Sequence, residues 1–198
     1  MDDVNTIVNP GTSNSQLRLH GLSHTTVPVR DRYKAARFYV AVLGAEVSNE
    51  APPDRVKLGL SRSLQIGLRM APGIELDVFE QSWGQPAWDQ SHPHHAFDVP
   101  AEDVAGWVEQ LTKWGVPFFG PMTRSGTTGC EIYFNDPDGN HLEINCGVYP
   151  GREKLYSGPY DKSLTVHKKP WPAPELEAEA DRLLEASIQR FRAQKKEA

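Results

Sequence analysis

Cysteine is scarce. Cys130 and Cys146 are the only two in 198 residues, too few for a disulfide framework, so a reducing compartment and free thiols are expected. No apolar run approaches the roughly 20 residues that span a bilayer, which excludes a membrane-spanning helix. Positive charge is not in excess: 21 Lys and Arg stand against 26 Asp and Glu, a net charge of −5. That balance offers no basic surface for nucleic acid. Met1 to Asn9 is acidic and polar and lacks the basic start and apolar run of a secretion signal. The expectation is a cytoplasmic protein whose partner is a small molecule. What is present is ordinary for a globular chain: 38% hydrophobic and 24% charged residues, in a length that allows one domain or two small halves sharing a core.

Residues 1–17 are rich in Asn, Ser, Thr and Gly and read as a flexible arm. Leu17 to Val29 is a β-rich run. Asp31 is a fitting N-cap for a helix over Arg32–Leu43, and Gly44 a fitting stop. Strands are expected at Val56–Leu60, Leu64–Leu68 and Ile74–Phe79, followed by a polar linker from Gln81 to Ser91. The order then repeats: a strand at Ala96–Val99, a helix over Asp103–Trp114 ended by Gly115, and strands at Pro117–Gly120, Glu131–Phe134 and His141–Asn145. Asp136-Pro-Asp-Gly139 is a strong turn signal between the last two.

The repeat holds residue by residue. His24-Thr-Thr-Val-Pro-Val29 overlays His94-His-Ala-Phe-Asp-Val99. Gly44 follows His24 by 20 residues and Gly115 follows His94 by 21. Gly73-Ile-Glu-Leu-Asp77 overlays Gly139-Asn-His-Leu-Glu143, with the acid at the same place in both. The fold class expected is α+β: two tandem βαβββ modules, about 18–80 and 92–147, forming a cupped mixed sheet around a metal site. A C-terminal extension over 148–198 would carry a helix at about 175–194. Leu176, Ala180, Leu183, Leu184, Ile188 and Phe191 lie at helical spacing there and must dock on this subunit or on a neighbour.

His24, His94, Asp77 and Glu143 occupy the four repeat-related positions. Two imidazoles and one carboxylate form the facial triad that suits Fe(II) and leaves positions open for substrate, whereas a fourth ligand from Asp77 would suit a more closed site. Glu75 shares the face of Asp77 and is its rival; His95 is the rival of His94 but lies on the opposite face. If the hairpin centres on Asp138, Tyr133 lies directly across from Glu143. Tyr133, Glu131 and His141 then share the metal face, and Cys130 and Cys146 point away. Tyr133, His92 and His141 are the candidate catalytic residues, the two histidines as acids or bases. Trp83 and Trp88 are candidates for lining a flat pocket.

The segments LSHTTVPVRD, HHAFDVPAED and IYFNDPDGNHLEIN resemble the signature segments of the vicinal oxygen chelate superfamily, which includes extradiol dioxygenases, glyoxalase I, methylmalonyl-CoA epimerase and fosfomycin-resistance transferases. The resemblance spans Gly21 to Cys146. It implies metal ligands at His24, His94 and Glu143, a substrate contact at Tyr133, and a homodimer.

The leading expectation for the reaction is an extradiol-type dioxygenase that cleaves a catechol-like aromatic with O2 on Fe(II). Mn, Zn, Ni or Co are the other metals such ligands accept. One departure weighs against it: at the spacings where ring-cleaving relatives carry a further histidine, this chain has Phe79 and Arg124. The alternative is a lyase, isomerase, epimerase or thiol transferase using a Lewis-acid metal. Thr26, Tyr133 and Arg152 stand near positions used by fosfomycin transferases, although the Lys and Ser series of those enzymes is only partly matched by Thr123 to Cys130. A drug-binding resistance protein without metal is the last alternative.

Overall fold

A computed structural model describes residues 23–54, 64–80, 94–124, 126–158 and 171–197. The expected arm over 1–17, the strand at Val56–Leu60, Trp83, Trp88 and His92 lie outside them.

The first module runs β1 (Thr25–Val29), α1 (Arg32–Leu43), β2 (Glu46–Glu50), β3 (Gln65–Ala71) and β4 (Ile74–Glu80). The second runs β5 (His94–Asp98), α2 (Val104–Trp114), β6 (Phe118–Met122), β7 (Cys130–Asn135) and β8 (His141–Cys146). The sheets are ordered β1-β4-β3-β2 and β5-β8-β7-β6. In each, the first strand runs parallel to the fourth and the remaining pairs are antiparallel. The fold is therefore α+β, with two tandem βαβββ modules. A C-terminal helix, α3 (Glu177–Glu197), follows them.

Local chemistry explains the boundaries. Asp31 accepts hydrogen bonds from the amides of Tyr33 and Lys34, closing the start of α1, and Gly44 ends it at φ 70°. The expected strand order of the first module needs one correction. Its second strand is Glu46–Glu50, directly after α1. Glu-Val-Ser-Asn-Glu carries one apolar residue, so it has no hydrophobic alternation to announce it; Val47 alone anchors it in the core.

Phe38, Tyr39 and Val42 of α1, Leu111 and Trp114 of α2, Ile66 and Leu68 of β3, and Ile132, Leu142 and Ile144 of β7 and β8 belong to one buried cluster. Each such side chain contributes about 1.5–3 kcal/mol on burial. A polar latch also ties the modules. Asp136 accepts from the Tyr39 hydroxyl at 3.0 Å and from Asn140 Nδ2 at 2.7 Å, Asn140 reaches the Pro28 carbonyl, and Arg30 Nε meets Asp138 at 2.8 Å. The turn of the second module is thus read by β1 and α1 of the first.

The apolar stripe of α3 docks on this subunit. Ala180, Leu184 and Ile188 join the same core. Arg37 Nη1 meets Asp181 at 2.7 Å, Arg192 grips Glu50 through both carboxylate oxygens, and the Val47 amide donates to Ser187 Oγ at 2.8 Å. Trp171 stands edge-on to Phe38, with centroids 5.1 Å apart.

Candidate metal centre

The two modules place their first and fourth strands in matching register. Thr26 lies opposite Asp77 in the β1–β4 pair, and Ala96 lies opposite Glu143 in the β5–β8 pair. The histidine two residues before each of Thr26 and Ala96 therefore shares a face with the acid. In the second module the two touch: His94 Nε2 lies 2.8 Å from Glu143 Oε2. Asn145 Nδ2 donates to the other carboxylate oxygen at 2.7 Å and fixes its orientation.

β7 completes this face. Tyr133 is the ladder partner of Glu143, Glu131 of Asn145, and Asn135 of His141. The hairpin is centred on Asp138 without a slip, so Cys130 and Cys146 pack in the core on the other side. The His141 ring lies 5.7 Å from that of His94 and 5.5 Å from that of Tyr133. Its Nε2 is buried with no hydrogen-bond partner among the described residues, a costly arrangement unless something else bonds there. Burial, then the neighbouring His94 and Arg124, lower the pKa of His141, favouring the neutral ring.

Arg124 and Glu131 have parts that sequence reasoning missed. Arg124 Nε meets Glu131 Oε2 at 2.9 Å and its Nη2 donates to the Tyr133 hydroxyl at 2.6 Å, while that hydroxyl donates to Glu131 at 2.8 Å. Burial first, then the bond to Glu131, push the Tyr133 phenol far up, so Tyr133 keeps its proton and acts as a donor. Parity had placed Glu131 on this face; a carboxylate 7% exposed demands a cation, and that signal points to Arg124.

The first module is less assembled. His24 is exposed, with Nδ1 3.2 Å from Ser23 Oγ. Asp77 lies over Gly67, where a Cβ would sit 3.0 Å from its Oδ1. Burial raises the Asp77 pKa, partly offset by His24. Glu75 is engaged elsewhere, by Ser48 Oγ at 2.6 Å and Arg69 Nε at 3.2 Å. His95 turns away, with Nδ1 3.4 Å from Thr25 Oγ1. Arg152 bonds the Thr127 carbonyl. Among the described residues no three His, Cys, Asp or Glu side chains converge closely enough to hold a metal. His94 and Glu143 bring together two of the three ligands of the expected triad, with His24 still beside its own module. One imidazole nitrogen and one buried carboxylate converging beside an orphaned ring nitrogen nevertheless fit a divalent cation.

Comparison with known proteins separates the reaction classes. The chain is 25% identical over 138 residues to the fosfomycin resistance protein FosX of Listeria innocua, covering 70% of this chain and 98% of that protein. It is 28% identical over 148 residues to the glutathione transferase FosA of Serratia marcescens, covering 71% and 94%. A variant of FosX from Listeria monocytogenes, solved with Mn(II) and 1S,2S-dihydroxypropylphosphonic acid, superposes with a TM-score of 0.53 at 28% identity, covering 66% of this chain and 94% of that one.

These relatives overturn the expectation of an extradiol-type Fe(II) dioxygenase acting on a catechol. The site agrees: where a ring-cleaving enzyme would present a histidine, Arg124 bonds Tyr133 and Glu131, which puts a fixed cation rather than a titrating base beside the half-site. The expectation of Fe(II) loses its support with the oxygen chemistry; the FosX variant was solved with Mn(II). Residues 21–144 match the family throughout, and the chain belongs to the Glyoxalase/Bleomycin resistance protein/Dioxygenase superfamily.

Proposed function

We propose that this protein is a metal-dependent enzyme that opens a strained carbon–oxygen bond of a small oxyanion-bearing substrate, of the phosphonate kind, by attack of a thiol or of water at the carbon, the freed oxygen keeping the electron pair and taking up the proton that the nucleophile gives up. His94 and Glu143 would hold the divalent cation, with His24 as the third ligand. Because the triad does not assemble within one chain among the described residues, the reading includes a homodimer in which His24 of a second copy completes each site. Bound there, the cation would polarise a substrate oxygen and stabilise the charge that develops on it.

The chain's own residues supply the rest. Arg124 offers a fixed positive charge beside the half-site, steadied by Glu131. Tyr133, protonated and held from both sides, sets the position of that guanidinium and walls the site. His141, kept neutral by burial, presents its unpartnered Nε2 as the acceptor for the proton of the attacking thiol or water.

The observation that carries this reading is the 2.8 Å contact of His94 with Glu143, flanked by Arg124 and Tyr133. It is supported by similarity to relatives named for fosfomycin resistance and glutathione transfer. The test is 31P NMR of fosfomycin with Mn(II)-loaded protein, in the presence of glutathione, another low-molecular-weight thiol, or water alone. A new phosphonate resonance that requires both protein and metal is expected. A protein that takes up no divalent metal would overturn the reading.

A further inference from the structure

We propose that residues 147–156, the segment that follows β8, form a strap that aims Arg124 at the oxyanion of the substrate, with Tyr156 as its positioning residue. The inference rests on the metal-dependent reading above. It assigns part of the oxyanion recognition to residues beyond the 21–144 that match the family.

Arg124 lies on the connection between β6 and β7, outside the ladder that pairs those strands. Glu131 and Tyr133 hold its guanidinium, but that grip aims the charge only if the backbone it hangs from is fixed as well. The strap fixes it. The Thr123 amide donates to the Tyr156 carbonyl at 2.9 Å, and the Tyr149 amide donates to the Thr128 carbonyl at 3.0 Å. Thr128 Oγ1 donates to the Gly147 carbonyl at 2.8 Å, and Arg152 Nη1 donates to that of Thr127. The loop is thus bonded to the strap on both sides of Arg124. A Cβ at Gly129 would collide with the Cys146 carbonyl, so the loop returns hard against the root of the strap.

Tyr156 has a second hold. It bridges Met122 in parallel, and its ring stands edge-on to Phe119 with centroids 5.9 Å apart. Phe119 is the ladder partner of Tyr133, and Met122 that of Glu131, so both lie on the metal face. Phe119, Met122 and Tyr133 form a small apolar cluster apart from the main core. Tyr156 therefore steadies the backbone next to Arg124 through its carbonyl, and the Tyr133 ring through Phe119. A cation held in place before its ligand arrives loses less freedom on binding, so fixing this loop raises oxyanion affinity without touching the oxyanion. These contacts lie at the β6 end of the sheet; β5, where His24 of a second copy would arrive, is at the other end.

The test is a double-mutant cycle, read by calorimetric titration of the Mn(II)-loaded protein with methylphosphonate. Tyr156→Ala and Arg124→Ala should each weaken binding on the order of tenfold, with Mn(II) affinity unchanged. The two together should bind no more weakly than Arg124→Ala alone, because the strap acts through Arg124. Tyr156→Phe keeps the ring on Phe119 and the carbonyl on Thr123, and should bind as the parent does. Thr128→Val, at an exposed site, removes the bond to Gly147. It should show a smaller loss that also vanishes in the Arg124→Ala background, and it carries the test if Tyr156→Ala does not fold. Additive losses in the double variants would overturn the inference, as would parent-like binding by Arg124→Ala or by both strap variants; each of these spares the metal reading. A Tyr156→Phe loss equal to that of Tyr156→Ala would make the hydroxyl a substrate contact and overturn the positioning role. Failure of methylphosphonate to bind even the Mn(II)-loaded parent would sink both.

Discussion

His94 and Glu143 touch at 2.8 Å without being partners in the ladder. His94 is paired with His141, and Glu143 with Ala96. The contact is a diagonal across two parallel strands, and it works because Ala96 is too small to stand between them. The same diagonal recurs at His24 and Asp77, where the shorter acid makes no such contact among the described residues.

Metal content should follow that diagonal. His94→Ala and Glu143→Ala are each expected to lose bound Mn(II), whereas His95→Ala, altered on the opposite face, should retain it. Inductively coupled plasma mass spectrometry of the purified proteins decides; full retention by His94→Ala would remove the half-site from the account.

Mixing tests the shared site. His24→Ala and His94→Ala homodimers should each be empty. A heterodimer of the two would contain one intact site, formed by His24 of one chain with His94 and Glu143 of the other. Refolding the variants together should therefore recover metal. No recovery would place all three ligands within one chain.

Tyr133→Phe should leave metal and fold intact and lower turnover by roughly 10- to 100-fold, the range expected when an organising hydrogen bond is removed from a catalytic site. Glu131→Gln should act in the same direction, because Arg124 would lose the carboxylate that holds it. Kinetics equal to the parent in both variants would reduce this cluster to packing.

The latch at Asp136 should show in stability. Asp136→Asn would place an amide NH2 or a weaker acceptor among the donors of Tyr39, Asp138 and Asn140, at a cost of about 1–3 kcal/mol. Burial raises the pKa of Asp136 in the folded protein. The unfolded chain therefore releases this proton first, and the carboxyl's contribution to stability falls as pH rises from its ordinary value of about 3.9 to the raised one. The penalty of Asp136→Asn should be largest below that window and smaller above it, as measured by urea unfolding of both proteins between acid and neutral pH. A penalty rising with pH would reverse the assignment.

Much of the fold was legible because the sequence carries it twice. The Asp31 cap and Gly44 stop bracketed α1, and the turn at Asp138 set the β7–β8 register that puts Tyr133 across from Glu143. β2 escaped notice because its polar residues give no alternation, and its place depends on packing from distant Ile66, Leu68 and α3. The candidate site was legible in its residue types and faces. The Arg124–Glu131–Tyr133 cluster was not, since it joins a loop to a strand through side-chain bonds that spacing does not encode. The reaction class was misjudged for a related reason. Two imidazoles and a carboxylate serve many chemistries, and what separates them lies in neighbours such as Arg124.

The hydrogen bond from the Val47 amide to Ser187 has a consequence for how the protein behaves in a crowded solution. Among the described residues β2 is the outermost strand of its sheet, and an outermost strand offers its free amides and carbonyls as a template on which a foreign strand can add. α3 lies against that rim, filling one amide with a serine hydroxyl and clamping the strand's end through Arg192 and Glu50. The C-terminal helix thereby acts as a guard against runaway sheet growth, and a chain shortened before it would be prone to aggregate even where its remaining core still folds.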